Sequence, residues 1–154
     1  MYAVRLARAF TGKKTILKIA GGWHGANPDL SLGIKMPYEK EESLGLLPDL
    51  QQYTKAISFN DLSSSLKVIH KNRKDLAGII LEPVVGEGGF NPATKEYLQM
   101  LRSETKKLKA LLIFDLPAHF AFEDHEEAWR GRVKSRTDLG PGHHGHVVGL
   151  RLTV

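Results

Sequence analysis

The sequence contains no cysteine among its 154 residues. That absence excludes a disulfide framework, thiolate catalysis and cysteine-ligated zinc or iron-sulfur centres. Long apolar runs are missing as well. Arginines interrupt the apolar residues of Met1 to Arg8, and no uninterrupted stretch of signal or spanning length follows. The expectation is a cytoplasmic protein with no membrane partner. Aromatics make up only 8% and are not interleaved with basic residues, which argues against a nucleic-acid partner. Charge of one sign is scarce too: the net +5 arises wholly before residue 116, as residues 116–154 balance. An excess of this size fits a solvated basic face or a surface that attracts phosphorylated ligands.

What remains is 42% hydrophobic and 25% charged, the composition of one ordinary globular domain. Met1 to Phe10 carries apolar Val4, Leu6 and Ala7 between arginines and stops at Thr11-Gly12, the end of a helix. No capping residue precedes it, so the chain is expected to start inside a helix whose natural N-terminus is missing. Thr15 to Ala20 is β-leaning and closes at Gly21-Gly22. Residues 25–55 form a Pro-, Gly- and Ser-rich excursion, with a short strand expected near Ala56 to Phe59. Asn60-Asp61 caps a helix whose face is Leu62, Leu66 and Ile69. Leu76 to Leu81 and Leu111 to Phe114 are continuous apolar runs, as in strands buried on both faces, and Pro92 to Leu108 reads as the helix between them.

Strands of this kind alternating with helices predict an α/β fold with a partial, mostly parallel sheet and flanking helices. Ligand groups then belong beyond the carboxyl ends of the strands, at Gly21 to Gly25, Glu82 and Asp115. Asp115 either holds a carboxylate against a cationic ring nitrogen or simply ends its strand and caps a loop. Trp23 either offers a flat surface to a ligand ring or half-buries itself in an ordinary turn. Glu82 to Gly89 lacks the spacing of a phosphate-binding loop and reads as a flexible strand-end loop. No Ser/His/Asp set or carboxylate pair stands out. His143, His144 and His146 suit a transition metal by type, but their segment has no regular pattern, so no metal site is assigned. Residues 116–154 do not continue the α/β alternation, apart from a brief apolar run at Val147 to Val154, and are expected to form an irregular tail.

Four stretches together resemble the class III, pyridoxal-phosphate-dependent aminotransferases, and within them the glutamate-1-semialdehyde 2,1-aminomutase branch. They are Ala3 to Gly12, Gly21 to Gly25, Ile79 to Gly89 and Leu111 to Asp115, in that family's order; Phe59-Asn60-Asp61 resembles a further short motif. The resemblance spans residues 1–115 and implies part of an aspartate-aminotransferase-like large domain. It implies that Trp23 stacks on the cofactor ring, that His24 and Gly25 shape the turn beneath, and that Asp115 pairs with the pyridinium nitrogen. Glu82 would organise the pocket, and Asn60 and Asp61 would be structural. Pyridoxal 5'-phosphate, an amino acid or amine substrate and a homodimeric partner are implied for the full-length parent.

The departures matter equally. The family follows its aspartate with Glu-Val, where this sequence has Leu116-Pro117. The family's Schiff-base lysine is absent: Lys134 is the only lysine after residue 115 and carries no family motif. The segment that binds the cofactor phosphate, which precedes the first helix in the family, is also missing. The expectation is therefore a fragment of a large domain joined after residue 115 to an unmatched tail, as a frameshift would produce, and inactive as it stands. The alternative is a noncatalytic α/β module that binds a partner or a full-length homologue.

Overall fold

The computed structural model describes residues 2–38, 44–116 and 149–153. Helix α1 (Tyr2–Thr11) leads into β1 (Thr15–Ile19), and two 3-10 turns, Pro28–Leu30 and Pro48–Leu50, punctuate the excursion before β2 (Thr54–Ile57). Then follow α2 (Leu62–Lys71), β3 (Leu76–Leu81), the short pair β4 (Val84–Val85) and β5 (Asn91–Pro92), α3 (Lys95–Leu108), β6 (Leu111–Leu116) and β7 (Gly149–Thr153). The main sheet has the order β2-β1-β3-β6-β7. Its first four strands are parallel, and β7 runs antiparallel to β6. The mostly parallel α/β sheet expected from the sequence is present; β7 lies inside the tail expected to be irregular and matches its brief apolar run.

Both faces of the sheet are covered, which explains why its strands read as continuous apolar runs. On one face Leu17, Ile19, Ile79, Leu81, Leu112 and Phe114 join a core that includes Ile69 of α2 and Tyr97 and Leu101 of α3. On the other, Ile16, Ile80, Leu111 and Ile113 pack with Ala3, Val4 and Ala7 of α1. At Gly78 a Cβ would sit only 3.0 Å from the Leu111 carbonyl oxygen of β6, and at an ordinary contact distance of 3.6 Å from the Ala7 Cβ of this helix. Leu6, expected on the apolar face, is exposed, because two residues turn a helix through about 200° and carry it opposite Val4.

Local chemistry shifts several boundaries. The helix expected from Pro92 begins at Lys95, with Thr94 Oγ1 accepting from Tyr97 N, because Asn91 and Pro92 pair with Val84 and Val85. The strand expected near Ala56 starts two residues earlier. Asp61 caps α2 by accepting from Ser64 N at 2.9 Å, and this backbone bond, with a second from the Ser63 hydroxyl, holds its carboxyl below the ordinary value. Asn60 lies at positive φ and joins the two helix starts, donating to Pro92 O and accepting from Thr94 N. The buried face of α2 is Ser65 and Ile69 and leaves Leu62 exposed. Ser65 is drawn inward by the fully buried Tyr97, whose hydroxyl lies 3.1 Å from its own and donates to Ser58 O. Burial pushes the Tyr97 phenol up to about 12.

Glu104 links the two helices on this face, with one carboxylate oxygen on Lys107 Nζ at 2.7 Å and the other on His70 Nε2 at 2.9 Å. The Lys107 bond, then that of His70, holds the Glu104 carboxyl below its ordinary value. A depressed carboxyl pKa contributes stability above the unfolded value and loses it as pH falls through the folded one. Acid titration of stability is therefore expected to show a loss below about pH 4.5 that is smaller in Glu104→Gln. Identical acid profiles for the two proteins would show that the link contributes nothing.

Candidate active site

Three neighbouring strands, β1, β3 and β6, deliver their carboxyl ends to one edge of the sheet. Gly21 to Gly25 follow β1, Glu82 follows β3, and Asp115 sits one step past the Leu81↔Phe114 register pair in β6. The structure thus brings together every site residue named from the sequence. What the sequence did not disclose is how they are tied. His24 is buried, and its Nδ1 lies 2.8 Å from Asp115 Oδ2 across 91 residues of sequence. An ionised carboxylate only accepts, so this contact places the imidazole proton on Nδ1. The opposite ring atom, Nε2, is buried with no hydrogen-bond partner among the described residues. The imidazole is therefore oriented through its carboxylate contact.

Glu82 is equally fixed. Its Oε1 accepts from Trp23 N at 3.0 Å and its Oε2 from Gly86 N at 2.8 Å, so one buried carboxylate joins the turn after β1 to the hairpin after β3. The segment read as a flexible loop is in part the β4–β5 ladder. Glycines let the two turns approach: Gly21 has φ +87°, and a Cβ on it would meet the Gly88 Cα at 3.3 Å. While its backbone is held, the Trp23 side chain remains 44% exposed. Gly25 completes the turn at φ +73° with open space around it.

Beneath the turn lies Lys18, which sequence reasoning passed over. Its side chain is fully buried in the middle of β1, and its Nζ donates to the carbonyls of Gly22 at 2.7 Å and Leu30 at 3.1 Å. The signal was its position inside an apolar run with both faces covered, where any side chain is buried regardless of type. The arrangement is an exposed aromatic face beside a buried, oriented carboxylate, with the backbone between them pinned from below by an ammonium and from the side by Glu82. Chemically, it can receive a flat ring and hold a cationic ring atom at its edge.

His143, His144, His146 and Lys134 lie outside the described residues. Among the described residues no group of three or more His, Asp or Glu side chains could hold a metal ion. No described helix is long and apolar enough to cross a membrane.

Comparison with known proteins places the chain in a class. The family described as aminotransferase class-III matches residues 1–116, and the chain belongs to that family. More particularly, it is 40% identical over 118 residues to the glutamate-1-semialdehyde 2,1-aminomutase of Methanosarcina acetivorans, a match covering 75% of this chain and 28% of that protein. The aminomutase of Protochlamydia amoebophila is 38% identical over 122 residues, with the same coverage. Among solved structures, a transaminase with PLP bound superposes with a TM-score of 0.69 at 35% identity, and an omega-transaminase from Sphaerobacter thermophilus with 0.70 at 27%. Each covers 75% of this chain, which corresponds to 28% of the neighbour's. The chain thus spans just over a quarter of the relatives it matches.

Proposed function

We propose that residues 1–115 form the ring-binding part of a pyridoxal-phosphate-dependent class III aminotransferase or glutamate-1-semialdehyde 2,1-aminomutase, and that the 154 residues by themselves do not transfer amino groups. The buried His24–Asp115 pair, one residue from the half-exposed Trp23, carries this reading. It supplies the two contacts a pyridine ring needs: a flat surface and an anion at the ring nitrogen.

Asp115 would hold the cofactor there, using Oδ1, since Oδ2 is occupied by His24. His24, donating from Nδ1, keeps the carboxylate from rotating away. Trp23 would cover one ring face, its backbone fixed by Glu82. Bound there, pyridoxal phosphate supplies an electron-withdrawing ring for an amino acid or amine substrate. The chain's own contribution is to bind and orient that ring.

The family's lysine and phosphate-binding segment have no counterpart among the stretches that resemble it. Leu116-Pro117 stand where the family has the residues that meet the ring's other face. A homodimeric partner for the full-length protein, a cytoplasmic location, and a boundary after residue 115 that separates the domain from its unmatched tail belong to the same reading.

The purified chain, given pyridoxal phosphate and amino donors, is expected to show no transfer above that of the free cofactor. A rate abolished by Asp115→Asn at unchanged expression would overturn the inactivity. The alternative of a noncatalytic binding module would gain from a partner that co-purifies at fixed stoichiometry without cofactor.

A further inference from the structure

The two ends of the family-matched sheet differ sharply. At one end β2 is four residues long, exposes Lys55 and only half-buries Ala56, the short, charged kind of strand that tolerates an open edge. At the other end β6 is six residues long and contains neither proline nor lysine. Its residues Leu111 to Asp115 are all buried, contributing to both cores. Such a strand is built for the interior of a sheet, with neighbours on both sides. Left with one open edge, it presents a row of unpaired amides and carbonyls on an apolar ribbon, a template for pairing with another chain.

β7 occupies that edge. It lies beyond the family match, which ends at residue 116, and pairs along the length of β6 from Leu112↔Thr153 to Leu116↔Gly149. Its direction is opposite to the other four strands. Its sequence, Gly-Leu-Arg-Leu-Thr, alternates apolar and polar residues, with Arg151 at its centre in register with Phe114. One step further on, Leu150 pairs with Asp115, so this strand also runs beside a residue of the candidate site.

We propose that β7 is an in-chain edge cover: residues 149–153 complete the sheet at β6 and thereby prevent a second copy of this chain from pairing there. The surface at issue is the outer edge of β6, and the partner it fits when uncovered is the β6 edge of another copy. This inference does not depend on cofactor binding.

Two measurements on the full chain test it. The protein has no cysteine, so an engineered pair reports register without interference. Adjacent antiparallel pairs alternate between wide and narrow spacing, and both are tested, as Ile113→Cys with Leu152→Cys and Phe114→Cys with Arg151→Cys. At least one is expected to oxidise to an intrachain disulfide at monomer mass; interchain disulfides only, or none in either, would refute the pairing. The second measurement uses Arg151→Pro with Leu152→Pro. Successive residues point their amides to opposite sides, so one of the two prolines must remove a bond to β6. Light scattering across a concentration series is expected to show a monomer for the parent and dimers or larger species for the variant. Hydrogen exchange should show protection retained in β1 and β3, so that self-association without global unfolding is recognised. A double-proline protein that remains monomeric at every concentration, or a parent that is already self-associated, would overturn the role of β7.

Discussion

Replacing Lys18 by methionine is expected to lower the free energy of unfolding by about 2 to 4 kcal/mol and to change the emission of Trp23. The ammonium is the donor for two buried carbonyls, those of Gly22 and Leu30. Each buried acceptor left without a donor costs about 1 to 3 kcal/mol. Methionine is close in length and apolar, so little cavity is created and the loss reports the polar contacts. One term opposes it: removing an ammonium from the interior relieves its desolvation, which keeps the expected loss well below the sum of both orphaned carbonyls at their largest. The Gly22 carbonyl lies immediately before Trp23, so release of the clamp should be felt at the indole. The sequence has two tryptophans, and a Trp129→Phe background leaves Trp23 as the sole reporter. Urea denaturation and emission spectra in that background decide the matter. A Lys18→Met protein with parental stability and emission would mean that the Lys18 contacts do not hold the turn.

Lys18 also shows where sequence reading stops. The strands β3 and β6 were legible as short, continuous apolar runs and β1 as a β-leaning run closed by Gly21-Gly22, and the rule for open α/β sheets then placed the site at their ends. A lysine within such a run reads as a solvent-facing residue until the covering layers on both faces are known. The His24–Asp115 contact spans 91 residues, and no local period encodes it. The sequence supplied the residues, but only the strand order β1-β3-β6 makes neighbours of them. In α2 the apolar count pointed to Leu62, whereas the buried position goes to Ser65, because the deeply buried Tyr97 hydroxyl needs a polar neighbour. The start of α3 was misplaced for a similar reason: the β4–β5 ladder claims Asn91 and Pro92, and ladder pairing is nonlocal. Gly149 to Thr153 carried too short a pattern to name a strand, since its partner lies more than 30 residues earlier.

The second large effect concerns Asp115. Affinity for a pyridine ring should fall at least about 10-fold in Asp115→Asn, the equivalent of losing one charge-assisted hydrogen bond of about 1.5 kcal/mol or more. Asparagine keeps the shape and can still accept from His24 Nδ1, so the fold should persist while the anion at the ring nitrogen is lost. This separates recognition of the ring from support of the turn, because Lys18 and Glu82 act on the backbone of residues 22 and 23 and not on the carboxylate.

The most direct measurement is a fluorescence titration of the Trp129→Phe chain with 4-deoxypyridoxine 5'-phosphate, a cofactor analogue without the aldehyde and so unable to form adducts with surface lysines. Saturable quenching of Trp23 is expected, weakening at least about 10-fold in Asp115→Asn at unchanged thermal stability. Absence of saturable quenching, or equal affinity in the two proteins, would contradict the assignment of Trp23 and Asp115 as a ring-binding pair.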